Sequence, residues 1–300
     1  MNKHILYDLL AVSTGAFITG KNKYFAKSIE SPGFQELLPL IDLTMPDDMS
    51  EGSYEPDATS PDGDIDPAFR VEKWLGGDFP TIIYHHGNNE RPFDYRKTAK
   101  NSFLNVIAKE KDQFNANLIN VRAPFHNDSL KAYQHKIVYL HKFMTMVATS
   151  VKLIELIRAH INTLGDAPVM VSGISLGGFV TNLHRTYYNS ADFYVPLLAG
   201  AYMGELFLQS KYKKLTSAKA LQSPDKIRHL LNFDGDYKTH TEANVFPLLA
   251  RHDQYVEYDV QKLSYNGNTV HTIDAGHVTG ALKFNVLREH LLSVLDTADE

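Results

Sequence analysis

From residue 80 onward, short apolar runs alternate with longer stretches whose apolar positions recur at helical spacing. The short runs at 81–84, 116–121, 168–172, 193–198, 245–250 and 270–273 predict strands, and their continuous apolar character is that of strands buried on both faces. Helical spacing falls at 95–109, across 128–164 as one long or two consecutive helices, at 179–188, and at 279–295 as an amphipathic closing helix. Asn127, Asp128 and Ser129 are candidate N-caps of the long segment, and Gly165 ends its pattern. This alternation predicts a mostly parallel central sheet with helices on both faces, built as a single α/β domain over residues 1–300. Residues 201–241 interrupt the rhythm and read as a helical lid insertion over the carboxyl edge of the sheet, with Tyr202, Met203, Phe207 and Tyr212 as an apolar covering surface.

Residues 1–69 form an extension before this pattern begins. Its first twenty residues carry the run Ile5-Leu-Tyr-Asp-Leu-Leu-Ala-Val12, which Asp8 interrupts. A secretory core does not tolerate a carboxylate at its middle, so an amphipathic first helix is the expectation. Between Ser31 and Phe69 there is no Lys or Arg, while ten carboxylates accumulate among prolines and glycines. Asp62, Asp64 and Asp66 alternate like the start of a calcium loop, yet Pro67 stands where such a loop needs Gly, and Lys73 where it needs Glu. A solvated acidic loop region is expected instead.

Composition narrows the function classes. With 30 basic against 35 acidic side chains the net charge is −5, which offers no electrostatic footprint for nucleic acid or an anionic membrane surface. The absence of cysteine removes disulfides, thiolate metal sites and cysteine nucleophiles. No apolar run reaches the length of a membrane span, and a cytoplasmic location is expected. Neither a Walker loop nor a dinucleotide fingerprint follows a strand, so a nucleotide cofactor is not expected.

The most specific chemistry lies at Val171-Ser-Gly-Ile-Ser-Leu-Gly-Gly178, where G-x-S-x-G follows a predicted strand and precedes a predicted helix. A serine on that tight turn has its hydroxyl pushed clear of the sheet, Gly173 and Gly177 admit neighbouring backbone, and the helix N-terminus favours an oxyanion beside it. Serine is a weak nucleophile at neutral pH and needs a base and a group to orient that base. Asp253 and His277 each fall just past a different predicted strand, separated by 24 residues. Parallel strands bring their carboxyl ends to one rim, where Ser175, Asp253 and His277 can converge. Glu205, Asp234, Asp236, Asp259 and Asp274 remain alternative acids. His85 and His86, with Glu90 and His126, invite a metal reading, but adjacent strand residues face opposite sides, so no metal is expected.

In the order serine, acid, histidine around this turn, residues 70–300 resemble the α/β-hydrolase family, in its serine esterase-like form. Tyr84-His-His-Gly-Asn88 is similar to the family's strand-end His-Gly segment. The resemblance implies an oxyanion hole made by the backbone N–H groups of Leu176 and Asn88, with His86 shaping the loop. It also implies a serine hydrolase, in its commonest form a carboxylesterase, acting on a small-molecule acyl substrate through an acyl-enzyme and without a cofactor. Thioesterase, peptidase and acyltransferase activities use the same triad, and a non-catalytic binding protein can retain the scaffold.

Overall fold

A computed structural model describes residues 2–47, 49–265 and 267–297. In chain order the helices are α1 (Lys3–Thr19), α2 (Phe34–Leu37), α3 (Ser102–Val106), α4 (Leu130–Ile137), α5 (Leu140–Ile161), α6 (Leu176–Tyr187), α7 (Met203–Leu208), α8 (Ala218–Leu221), α9 (Pro224–Leu231), α10 (Asp234–Tyr237), α11 (Tyr258–Gln261), α12 (His277–Ala281) and α13 (Phe284–Asp296). The strands are β1 (Asp42–Leu43), β2 (Gly52–Tyr54), β3 (Ala58–Ser60), β4 (Gly63–Asp64), β5 (Ala68–Lys73), β6 (Thr81–His85), β7 (Asn117–Arg122), β8 (Val169–Ile174), β9 (Phe193–Leu197), β10 (Leu248–Ala250) and β11 (His271–Ile273).

Eight strands form the central sheet in the order β11-β10-β9-β8-β6-β7-β5-β2. From β11 to β7 all neighbours run parallel, and β5 and β2 add an antiparallel edge. Strand alternation sorts the core into two layers. Ile83, Ile119, Val169 and Val171 face the layer built with α5 and α6, whereas Ile82, Tyr84, Leu118 and Met170 face the layer built with α3 and α13. Because helices cover both faces, β6, β7 and β8 are buried at every position, which is why these runs are mainly apolar, and their polar side chains, such as Asn117 and Ser172, are hydrogen-bonded inside. Strands β1, β3 and β4 form a separate small antiparallel sheet within the acidic region.

Several predicted boundaries change for local reasons. The helix expected at 95–109 exists only as α3, because Asn101 caps it by accepting from Leu104 N–H at 2.9 Å, and the preceding polar residues turn outward. The segment 128–164 divides into α4 and α5. The strand expected at 245–250 is reduced to β10: Pro247 lacks the N–H that a ladder requires. The closing helix is broken into α12 and α13 by the non-helical backbone of Lys283. The aspartates that mimic a calcium loop diverge, Asp62 toward Thr145 and His141 and Asp66 toward the backbone of Phe125.

The first helix forms, but with inverted polarity. Asp8, its one carboxylate, is 0% exposed, while Leu6, Tyr7, Leu10, Phe17 and Ile18 face solvent. The amphipathic expectation is therefore corrected: helix α1 is apolar outward, and its acid points inward to an acceptor's task described below. Among the described residues, no helix is long and apolar enough to cross a membrane.

Candidate active site

Ser175 stands between the end of β8 and the first residue of α6, with φ of 54° and ψ of −109°. That positive φ is a strained setting for a side chain other than Gly, and it is held by packing of the backbones around it. A Cβ on Gly177 would lie 2.1 Å from the carbonyl oxygen of His85, so the strand-end segment after β6 can approach the turn only because residue 177 is Gly. The N–H of Ser175 donates to the carbonyl of Leu197 at 2.8 Å, tying the turn to β9.

The rim where β6, β8, β10 and β11 end carries Asn88, Ser175, Leu176, Asp253 and His277. Ser175 Oγ lies 2.9 Å from Nε2 of His277, and His277 Nδ1 lies 2.7 Å from Oδ2 of Asp253. The other carboxylate oxygen of Asp253 accepts from the N–H groups of Tyr255 and Val256, each at 2.8 Å. Both oxygens are thereby fixed. The ring of Tyr255 lies tilted against that of His277, with centroids 4.9 Å apart.

Four of the alternative acids are engaged elsewhere: Glu205 accepts from Arg228 at 2.7 Å, Asp234 and Asp259 pair with Lys238 and Lys262, and Asp274 bonds His252. The fifth, Asp236, is exposed on α10. Burial works to lower the pKa of His277, but the charge and hydrogen bond of Asp253, with the charge of Asp8 behind them, raise it above the ordinary histidine value. Burial pushes Asp253 upward against the pull of His277 and the Tyr255 N–H.

Leu176 opens α6, where first-turn N–H groups have no acceptor within the helix. Asn88 lies two residues beyond the Gly-preceding His86, and its side chain is clamped by tyrosines. It donates to the hydroxyls of Tyr24 and Tyr212 at 2.7 and 3.3 Å and accepts from that of Tyr133 at 2.6 Å. Burial raises the pKa of Tyr24 and Tyr212 well above the ordinary value, so both phenols stay protonated.

His85 and His86 do not face opposite sides: their rings stack 4.7 Å apart at 19°, because β6 ends at His85 and strand alternation stops there. His86 Nε2 accepts from the N–H of Ala123 at 3.1 Å, and its Nδ1 donates to the carbonyl of Gly87 at 2.7 Å. Burial drives His85 down to about 3 and His126 to about 4, and it also lowers His86, so the cluster is neutral scaffolding for the loop.

Two cavities meet at Ser175 and His277. The first, about 330 Å³, is lined mainly by apolar side chains including Val12, Phe143, Phe179, Met203, Phe207 and Leu215. The second, about 360 Å³, is lined by Glu90, Lys100, Asn101, Ser102 and Asn105 on one side and by Ala281, Leu282 and Phe284 on the other. Of the four lid side chains singled out in the sequence, Met203, Phe207 and Tyr212 line the first cavity. Tyr202 turns away, its hydroxyl accepting from Lys238 at 2.7 Å.

Sequence reasoning missed Asp8. From α1, its Oδ2 accepts from His277 N–H at 2.8 Å and Gln254 N–H at 3.1 Å, and its Oδ1 accepts from Val278 N–H at 2.9 Å. Tyr255 donates its hydroxyl to the Asp8 carbonyl at 2.8 Å, and His4 meets Thr279 at 2.8 Å. Gly276 permits this contact, since a Cβ there would lie 2.7 Å from the Asp8 carboxylate. The available signal was the lone carboxylate in an apolar run, a residue type that is buried only with partners.

No protein-family model matches the sequence, and comparison with curated proteins found no match. Solved structures do match. The acylaminoacyl peptidase of Pyrococcus horikoshii superimposes with a TM-score of 0.54 at 12% identity over 82% of this chain, which spans only 41% of that protein. A Pyrococcus furiosus esterase gives 0.53 at 14% identity, covering 91% of this chain and 98% of the other. An acetyl xylan esterase from Thermoanaerobacterium sp. gives 0.51 at 13% identity, covering 86% and 90%. With the sheet order, the serine turn after β8 and these neighbours taken together, the chain has the α/β-hydrolase fold.

Proposed function

We propose that the protein is a serine hydrolase that cleaves carboxylic esters with an apolar acyl part. The observation that carries this reading is the unbroken line of hydrogen bonds from Asp253 through His277 to Ser175, opening on a largely apolar cavity. In this reading Ser175 Oγ attacks the ester carbonyl while His277 Nε2 takes its proton. Asp253 holds Nδ1–H, fixing the tautomer and stabilising the imidazolium. The N–H groups of Leu176 and Asn88 receive the oxyanion, and the tyrosine clamp on the Asn88 side chain keeps its loop in place. Collapse of the tetrahedral intermediate expels the alcohol, which takes the proton from His277 Nε2. Water then attacks the acyl-enzyme by the same steps reversed.

The cavity beneath the lid is assigned to the acyl chain, and the one bordered by Glu90, Asn101 and Ser102 to the leaving group. Residues 201–241 act as the lid, through Met203, Phe207 and Tyr212. Residues 1–69 extend the single domain, and α1 completes the acyl cavity through Val12. The test is labelling with a fluorophosphonate, followed by p-nitrophenyl esters of graded chain length. Labelling of the wild type and its loss in Ser175→Ala is the expected result. An unlabelled, folded wild type inert on every ester overturns the reading.

A further inference from the structure

Among the described residues, the outward side of α1 is largely uncovered. Leu6, Leu10 and Phe17 succeed one another along it, flanked by Tyr7 and Ile18, and Phe17 is 88% exposed. Exposed Ser13 and Thr14 stand between Leu10 and Phe17, yet five large apolar side chains exposed on one side of a helix that packs by its other side mark an interaction site. The charge around it is one-sided. From residue 2 to residue 29 the chain carries Lys3, Lys21, Lys23 and Lys27, and its only carboxylate is the buried Asp8.

The neighbouring segment Lys211–Leu215 packs against α1 and adds exposed Lys211, Lys213 and Lys214. The Lys214 ammonium donates to Ser13 Oγ at 3.0 Å, which fixes it to the side of the helix. Glu257, beside Lys211 and Lys213, is the acid that answers them. The protein's surplus of acid is gathered instead in residues 31–69, so a net charge of −5 conceals a basic, apolar face.

We propose that this face of α1 docks the protein on an anionic lipid surface. An apolar helix stripe rimmed by lysines matches the boundary between acyl chains and anionic headgroups. The inner side of the same helix, at Ala11, Val12 and Gly15, walls the cavity assigned to the acyl chain. Docking therefore sets that cavity about one helix diameter from the lipid. Resting on the hydrolase reading, the substrates are esters presented at such a surface. The docking itself does not depend on that reading.

The experiment is flotation of the full chain with vesicles of phosphatidylcholine alone or with about one-third phosphatidylglycerol, at low and high salt. The wild type and Ser175→Ala should both float with the anionic vesicles, less so at high salt. The double variant Leu10→Ser/Phe17→Ser and the charge-reversed Lys3→Glu/Lys21→Glu should each lose about tenfold or more of the affinity. Both should keep wild-type circular dichroism and wild-type hydrolysis of a water-soluble p-nitrophenyl ester, while hydrolysis of a vesicle-embedded ester falls.

Wild-type protein that does not float, or variants that float undiminished, overturn the docking. So does a dimer in light scattering that Leu10→Ser/Phe17→Ser dissociates, since a second copy then covers the face. Because flotation is read without hydrolysis, an enzyme inert on both esters would refute the hydrolase reading and leave docking to be decided by flotation.

Discussion

Asp8→Asn is the most informative single substitution, because it alters one buried atom pair at a distance from the reacting oxygen. The carboxylate accepts three backbone N–H groups, those of Gln254 and His277 on one oxygen and that of Val278 on the other. An amide has one acceptor. Its oxygen can serve the Gln254 and His277 pair, which leaves its NH₂ against the Val278 donor and one buried N–H unsatisfied. That costs about 1–3 kcal/mol, a fall of several degrees in Tm for a chain of this size.

The negative charge also disappears beside His277, whose pKa is lowered by burial but raised in net by Asp253 and, further off, by Asp8. A base acts when unprotonated, so a raised pKa places the rising limb of kcat/KM at higher pH. Removing the Asp8 charge moves that limb to lower pH, because one of the charges that favour the protonated ring is gone. Loosening the start of α12 should lower kcat by about ten- to a hundredfold with little change in KM. The assay is the pH–rate profile of p-nitrophenyl ester hydrolysis, together with thermal unfolding followed by circular dichroism. A merely structural Asp8 would lower Tm and leave the limb where it was. If the limb, kcat and Tm all match the wild type, the reasoning is wrong.

Ser175→Ala should reduce ester hydrolysis by about a thousandfold or more while the fold survives, measured as kcat alongside circular dichroism. Asp253→Asn should cut kcat steeply, because its amide would hold the wrong imidazole tautomer. Asp234→Asn and Asp259→Asn, whose partners are surface lysines, should be mild in the same assay. The wild-type rate should rise with a midpoint above the ordinary histidine value of about 6.5, since Asp253 and Asp8 favour the protonated ring. A midpoint below that value would contradict the site's electrostatics. Gly177→Ala should unfold the serine turn or greatly lower expression, because the new methyl would lie 2.1 Å from the His85 carbonyl oxygen; normal Tm and activity would refute this close-packing account.

The sequence by itself determined what depends on local pattern. Short, mainly apolar runs specified the buried parallel strands, because a strand covered by helices on both faces has no solvent-facing side. G-x-S-x-G between a strand and a helix specified the turn at Ser175, and the post-strand positions of Asp253 and His277 put them at the same rim. Local signals were weaker where several outcomes share one composition. The polar stretch before Asn101 carried helical spacing yet stays largely exposed, and Pro247 shortened a strand whose apolar run began earlier.

Tertiary structure alone decided the rest. Which candidate carboxylate meets His277 is decided by the fold, since Asp253 Oδ2 lies 2.7 Å from its Nδ1, a proximity between residues 24 apart that no local pattern specifies. The stacking of His85 on His86 depends on the residue at which β6 stops. Most of all, Asp8 looked like a solvent-facing interruption in an apolar helix. It is buried instead because the backbone donors of Gln254, His277 and Val278, more than two hundred residues away, offer a carboxylate three partners that water would otherwise supply.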